Sequence, residues 1–117
     1  MAKLKADKKS CHFSGKHNHM QRGKLVENPR FMFQLEVDGK KSSDVRGDLD
    51  VSEDHFDYMA HSIKGVTLAK QTEYYKKHKV KVIVTHFNKQ CKVVKSVFKA
   101  TPKGWVVTKE GLKHKGR

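Results

Sequence analysis

"RFMFQLEVDGKK", residues 30 to 41, decides the fold. Phe31, Phe33, Leu35 and Val37 alternate with Met32, Gln34 and Glu36, the two-residue period of a strand with one buried face. Asp38-Gly39 then supplies the positive φ angles that a tight hairpin turn demands. A second, weaker strand is expected to return through residues 40 to 45. The stretch therefore predicts an antiparallel hairpin with one side on a core.

C-terminal to it, "DVSEDHFDYMAHSIKG" (50–65) predicts a helix. Asp50 or Ser52 can cap it, and acidic residues crowd the first turn, where the helix dipole is positive. Phe56, Met59, Ala60 and Ile63 recur at i, i+3, i+4 and i+7, one apolar stripe. Lys64 and Gly65 close it, the glycine suited to a left-handed cap. "VTLA" (66–69) is read as extended, with "LAKQTEYYKKH" (68–78) as an alternative short helix. Three strands follow: "KVKVIVTHF" (79–87), "CKVVKSVFKA" (91–100) and "WVVTK" (105–109), rich in β-branched and aromatic residues. The short links "NKQ" and "TPKG" make neighbours antiparallel, hence a meander, with the helix covering Val80, Val82 and Val84.

Upstream, the apolar residues through position 24 are few and unpatterned, so residues 1–24 read as a flexible basic arm. The expected architecture is α+β: a small antiparallel sheet, N-terminal hairpin plus C-terminal three-stranded meander, packed on one helix. It forms a single domain over 25–110, with a basic tail at 111–117. A chain of 117 residues has no room for two independent cores.

Charge bounds the function. The net charge is +14, and self-repulsion of that size normally reflects an anionic partner. It is unevenly placed: residues 1–35 carry +6, residues 36–57 carry −5, and residues 58–117 carry 15 basic side chains against 2 acidic. No apolar run approaches the ~20 residues of a membrane-spanning helix, and no apolar region backs a secretory signal. Two cysteines 80 positions apart form no dense disulfide framework, so an intracellular, reducing (cytoplasmic) compartment is expected, with one long-range disulfide the less favoured alternative.

Several constellations invite sharper chemistry. Cys11, His12, His17 and His19 hold zinc-ligand atoms, but their spacing matches no paired-ligand knuckle, and a soft basic segment is the plainer reading. Asp38 with Lys40 resembles half of a magnesium-nuclease site, with Asp44, Asp48, Asp50, Glu53 and Asp54 as further carboxylates. Asp38-Gly39 already has a role as a turn, however. "RGD" at 46–48 occurs too easily by chance to indicate adhesion. No nucleophile elbow and no glycine-rich phosphate loop is present, so catalysis is not expected, and neither a metal nor a cofactor.

The strongest constellation is basic. Lys76, Lys77, Lys79 and Lys81 run from "EYYKKHKVK" into the first meander strand, Lys92, Lys95 and Lys99 belong to the second, and Lys103 to the next turn. Lys95 and Lys99 share a strand face with Val93 and Val97. Tyr74, Tyr75 and Trp105 offer rings on which unpaired bases could stack. Arginine occurs only at Arg22, Arg30, Arg46 and Arg117, so bidentate guanine reading is poorly supplied, whereas lysine meets phosphate as a point charge. The expectation is a small nucleic-acid-binding accessory protein of low sequence specificity, RNA slightly ahead of DNA. The alternative is a protein-binding regulator or inhibitor, of a kind that would suit a phage, docking through the acidic segment 44–57. A metal-dependent nuclease ranks third.

Overall fold

The computed structural model describes residues 11–21 and 24–109. In chain order the elements are β1 (Lys16–Gln21), β2 (Lys24–Glu27), β3 (Phe31–Val37), β4 (Lys40–Asp48), α1 (Glu53–Lys64), a 3-10 turn (Leu68–Lys70), α2 (Gln71–Lys77), β5 (Val80–Phe87), β6 (Val93–Thr101) and β7 (Gly104–Lys109). Strands β4-β3-β5-β6-β7, in that spatial order, form one antiparallel sheet, and β1 pairs with β2 in a separate ribbon. This is the α+β architecture the sequence predicts.

Phe31, Phe33 and Leu35 are buried while Met32 and Gln34 between them are only partly so, as the alternation requires. The turn sits at Asp38 and Gly39, with φ of 52° and 85°. Strand β4 runs on to Asp48, three residues past the expected end, and absorbs its extra residues in a register shift opposite Gln34 and Glu36. The hairpin joins the meander through β3 and β5. Phe33 stands opposite Val84, Leu35 opposite Val82 and Val37 opposite Val80, so both apolar stripes fall on one face.

Helix α1 packs on that face. The Ser52 hydroxyl accepts the His55 amide at 3.2 Å, and Gly65, at φ 73°, donates its amide to the His61 carbonyl at 2.9 Å. Phe56, Met59 and Ala60 are buried, and Phe56 and Met59 join Phe33, Val80, Val82 and Trp105 in one core. Phe33 is fully enclosed, with the His55 ring edge-on at 4.6 Å and Phe56 at 5.9 Å. A phenylalanine so placed is worth about 3–5 kcal/mol over alanine.

Two features differ from the sequence reading. After Gly65 the short-helix alternative over 68–78 holds in place of the extended reading: a 3-10 turn at Leu68–Lys70 leads into α2, so two helices cover the core instead of one. Gln71, Tyr74, Tyr75 and His78 have helical spacing, and the apolar gain of placing both tyrosines against the core outweighs the extended preference of Val66 and Thr67. The two cysteines, expected as free thiols, are joined: Cys11 and Cys91 form a disulfide with Cα atoms 5.7 Å apart. Beside it the Phe13 ring packs tilted against Phe87 at 4.5 Å, and its amide donates to the Pro29 carbonyl at 2.8 Å. Residues 11–21 of the expected arm thus include β1 and a covalent tie to the β5–β6 turn. Residues 1–10 and the tail at 111–117 lie outside the described residues. Among the described residues, no helix is long and apolar enough to cross a membrane.

Candidate nucleic-acid interface

Residues directly opposite across an antiparallel pair share a face of the sheet. Val80, Val82 and Val84 take the face beneath α1, so Lys81, Ile83 and Thr85 take the other. Their β6 partners are Lys99, Val97 and Lys95. Lys81 and Lys99 therefore form a cross-strand pair of like charges, with Cβ atoms ~4.5–5.5 Å apart. On its other side Lys81 meets Glu36 of β3, and Glu36 meets Lys41 of β4. The row reads Lys41, Glu36, Lys81, Lys99, three positive charges to one negative, and ends at Val106 of β7.

Lys95 lies two rows along the same face, ~13 Å from Lys99 at the usual strand rise. Lys79 and Lys103, both exposed, sit at the Lys81–Lys99 end: Lys79 just ahead of β5, Lys103 in the β6–β7 turn. Lys92 is exposed at the opposite end, separated from that turn by the nine residues of β6, roughly 30 Å of strand. Lys76 and Lys77 are exposed in the last turn of α2, on the helical layer. The fold gathers Lys79, Lys81, Lys99 and Lys103, extends them through Lys95, and sets Lys76, Lys77 and Lys92 apart.

The aromatic residues divide as well. Tyr75 and Trp105 meet edge-on at 5.6 Å, and both donate to the same Asp57 carboxylate oxygen, at 2.8 and 3.0 Å. Burial, and then the bond to Asp57, pushes the Tyr75 phenol far up. These two rings belong to the core. Tyr74 instead stacks on the His78 ring, with centroids 4.2 Å apart and planes 25° from parallel. Burial, then the charge of Asp38, raises its phenol. His78 Nδ1 donates to Asp38 at 2.7 Å and the Lys79 amide donates to the other oxygen at 2.9 Å. The His78 bond, then the amide, hold the Asp38 carboxyl below its usual value. The tyrosine–histidine stack borders an open cleft of about 670 Å³, lined also by Lys70, Glu73 and Lys77. Sequence reasoning counted His78 in the basic run of "EYYKKHKVK" but missed Lys70, the cleft and the stack of His78 on Tyr74. The i, i+3, i+4, i+7 spacing of Gln71, Tyr74, Tyr75 and His78 was the signal that could have found them.

Half of the carboxylates in the acidic segment 44–57 are engaged internally. Asp44 accepts from Arg46 at 2.8 Å, Asp48 is buried 3.4 Å from His55, and Asp57 serves Tyr75 and Trp105. Asp50, Glu53 and Asp54 stay exposed. Asp38, the proposed magnesium ligand, has both oxygens occupied, and Cys11 is bonded to sulfur, so it holds no thiolate for a zinc site. The side chains of His17 and His19 lie outside the described residues. Among the described residues no three His, Cys, Asp or Glu side chains are arranged to hold a metal. Comparison with protein-family models, with curated proteins and with solved structures finds no match to this chain.

Proposed function

We propose that the protein binds nucleic acid through the sheet face opposite α1, using Lys81, Lys95 and Lys99 with Lys79 and Lys103 at its end, RNA slightly ahead of DNA. It reads the phosphate backbone and little sequence, and it acts as an accessory factor that binds and does not catalyse. One observation carries the reading: the register sets Lys81 directly opposite Lys99, an arrangement that costs stability in the free protein and is relieved by a bound polyanion. Glu36 offsets part of that repulsion but not the excess over the whole row. The proposal keeps the cell interior as the place of action, although the Cys11–Cys91 bond is not a feature of a reducing cytoplasm.

Neutralising the pair tests it. Lys81→Gln with Lys99→Gln should leave the melting temperature unchanged or slightly higher, since a like-charge contact is removed. Binding to generic RNA or duplex should weaken, and the slope of log K against log salt should flatten by about two units on duplex. A stable double variant that binds as the parent does would move the interface elsewhere. A second reading, a protein-binding surface, rests on Leu49 and Tyr58, each nearly half exposed beside Asp50, Glu53 and Asp54. Loss of a captured protein partner on Leu49→Asp or Tyr58→Asp, with nucleic-acid affinity unchanged, would favour it.

A further inference from the structure

We infer that the cleft beside α2 is a subsite for one unpaired nucleotide of a single strand, its base continuing the Tyr74–His78 stack and its phosphate lying between Lys70 and Lys77. The inference rests on the nucleic-acid reading and adds to it a preference for unpaired bases. Three features converge. The cleft, about 670 Å³, falls in the ~300–1,000 Å³ range of small-molecule sites. Its wall carries two rings already stacked at 4.2 Å, and a stack of two offers a flat outer face to a third ring. That platform is held in place: His78 is fixed by Asp38 at 2.7 Å, and Asp38 by the Lys79 amide at 2.9 Å.

The polar groups fit the same occupant. Glu73 and Lys77, four residues apart on α2, share a helix face, and Lys70, at the end of the 3-10 turn, lines the same cleft. The two ammonium groups outnumber the single carboxylate, which suits a phosphate. The Glu73 carboxylate can only accept hydrogen bonds, the complement of the exocyclic amino group of adenine, guanine or cytosine. A duplex hides its base faces and so cannot use the stack. His78 of the cleft directly precedes Lys79 of the lysine face, so a strand crossing that end of the sheet can meet both.

A single-stranded RNA of twelve nucleotides carrying one 2-aminopurine, and its matched duplex, separate the two sites. The parent should quench the 2-aminopurine fluorescence of the single strand on binding. Tyr74→Leu, which keeps an apolar contact with the core, should abolish the quenching and weaken single-strand binding roughly tenfold with duplex affinity unchanged. Lys70→Gln with Lys77→Gln, both at exposed positions, should also weaken the single strand more than the duplex, which keeps the test open if the tyrosine variant is unstable. Unchanged quenching and affinity in either folded variant, or equal weakening of single strand and duplex, would overturn the subsite while leaving the lysine face intact. A parent that binds neither probe in a salt-sensitive way would overturn both.

Discussion

His86 stands on β5 with its ring almost wholly buried, beside Phe31 at 6.1 Å and sharing a 2.9 Å hydrogen bond with the Ser96 hydroxyl through Nε2. Burial lowers its affinity for a proton, against a smaller opposing influence of the Phe87 backbone. The folded state therefore prefers neutral imidazole. As pH falls below the ordinary histidine value of 6.5 the unfolded chain gains a proton that the folded chain refuses, and stability declines. Thermal melts at pH 7.5 and pH 5 should show the parent less stable at the lower value. His86→Asn, which retains a partner for Ser96, should shrink that difference; an undiminished one would assign the acid sensitivity to other groups. The Asp38 carboxyl, shifted downward, adds to the loss only below about pH 4, since its stabilisation disappears as it protonates.

Among the elements, the tie between residue 11 and the β5–β6 turn governs what the N-terminal segment contributes. The Cys11–Cys91 bond spans 80 positions, and closing such a loop stabilises by about 4–5 kcal/mol in the chain-entropy account. Reduction, or Cys91→Ser, should lower the melting temperature by roughly ten degrees or more. An unchanged melt would mean that residues 11–15 add nothing to the fold. Legibility differed by element for physical reasons. The β3 turn, the α1 caps and the meander depend on local periodicity and turn chemistry, and the sequence displays both. The β3–β5 seam and the disulfide are long-range, and no local pattern encodes them. Asp57 shows the same limit: its partners Tyr75 and Trp105 are 18 and 48 residues away, so its acidity read as surface charge. At the candidate interface, the shared face of Lys95 and Lys99 was legible from strand alternation. The Lys81–Lys99 pairing and the His78–Asp38 contact required the register.

For the whole molecule, the governing quantity is the charge that remains after internal pairing. In the acidic run at 36–57, Asp44, Asp48 and Asp57 are engaged within the fold, whereas Asp50, Glu53 and Asp54 stay exposed around the start of α1 and Glu36 is the one carboxylate in the row of Lys41, Lys81 and Lys99. Under the proposed function, a net charge of +14 would attract a polyanion at long range, and lysines on one sheet face would then meet phosphates with release of counterions. The most direct test is the affinity of the intact protein for a generic RNA and a generic duplex, measured across a series of salt concentrations. With three to five lysines on phosphates, log K should fall against log salt with a slope of roughly −3 to −5 on duplex and somewhat less on a single strand. A slope near zero, or no measurable binding at low salt, would contradict the nucleic-acid reading.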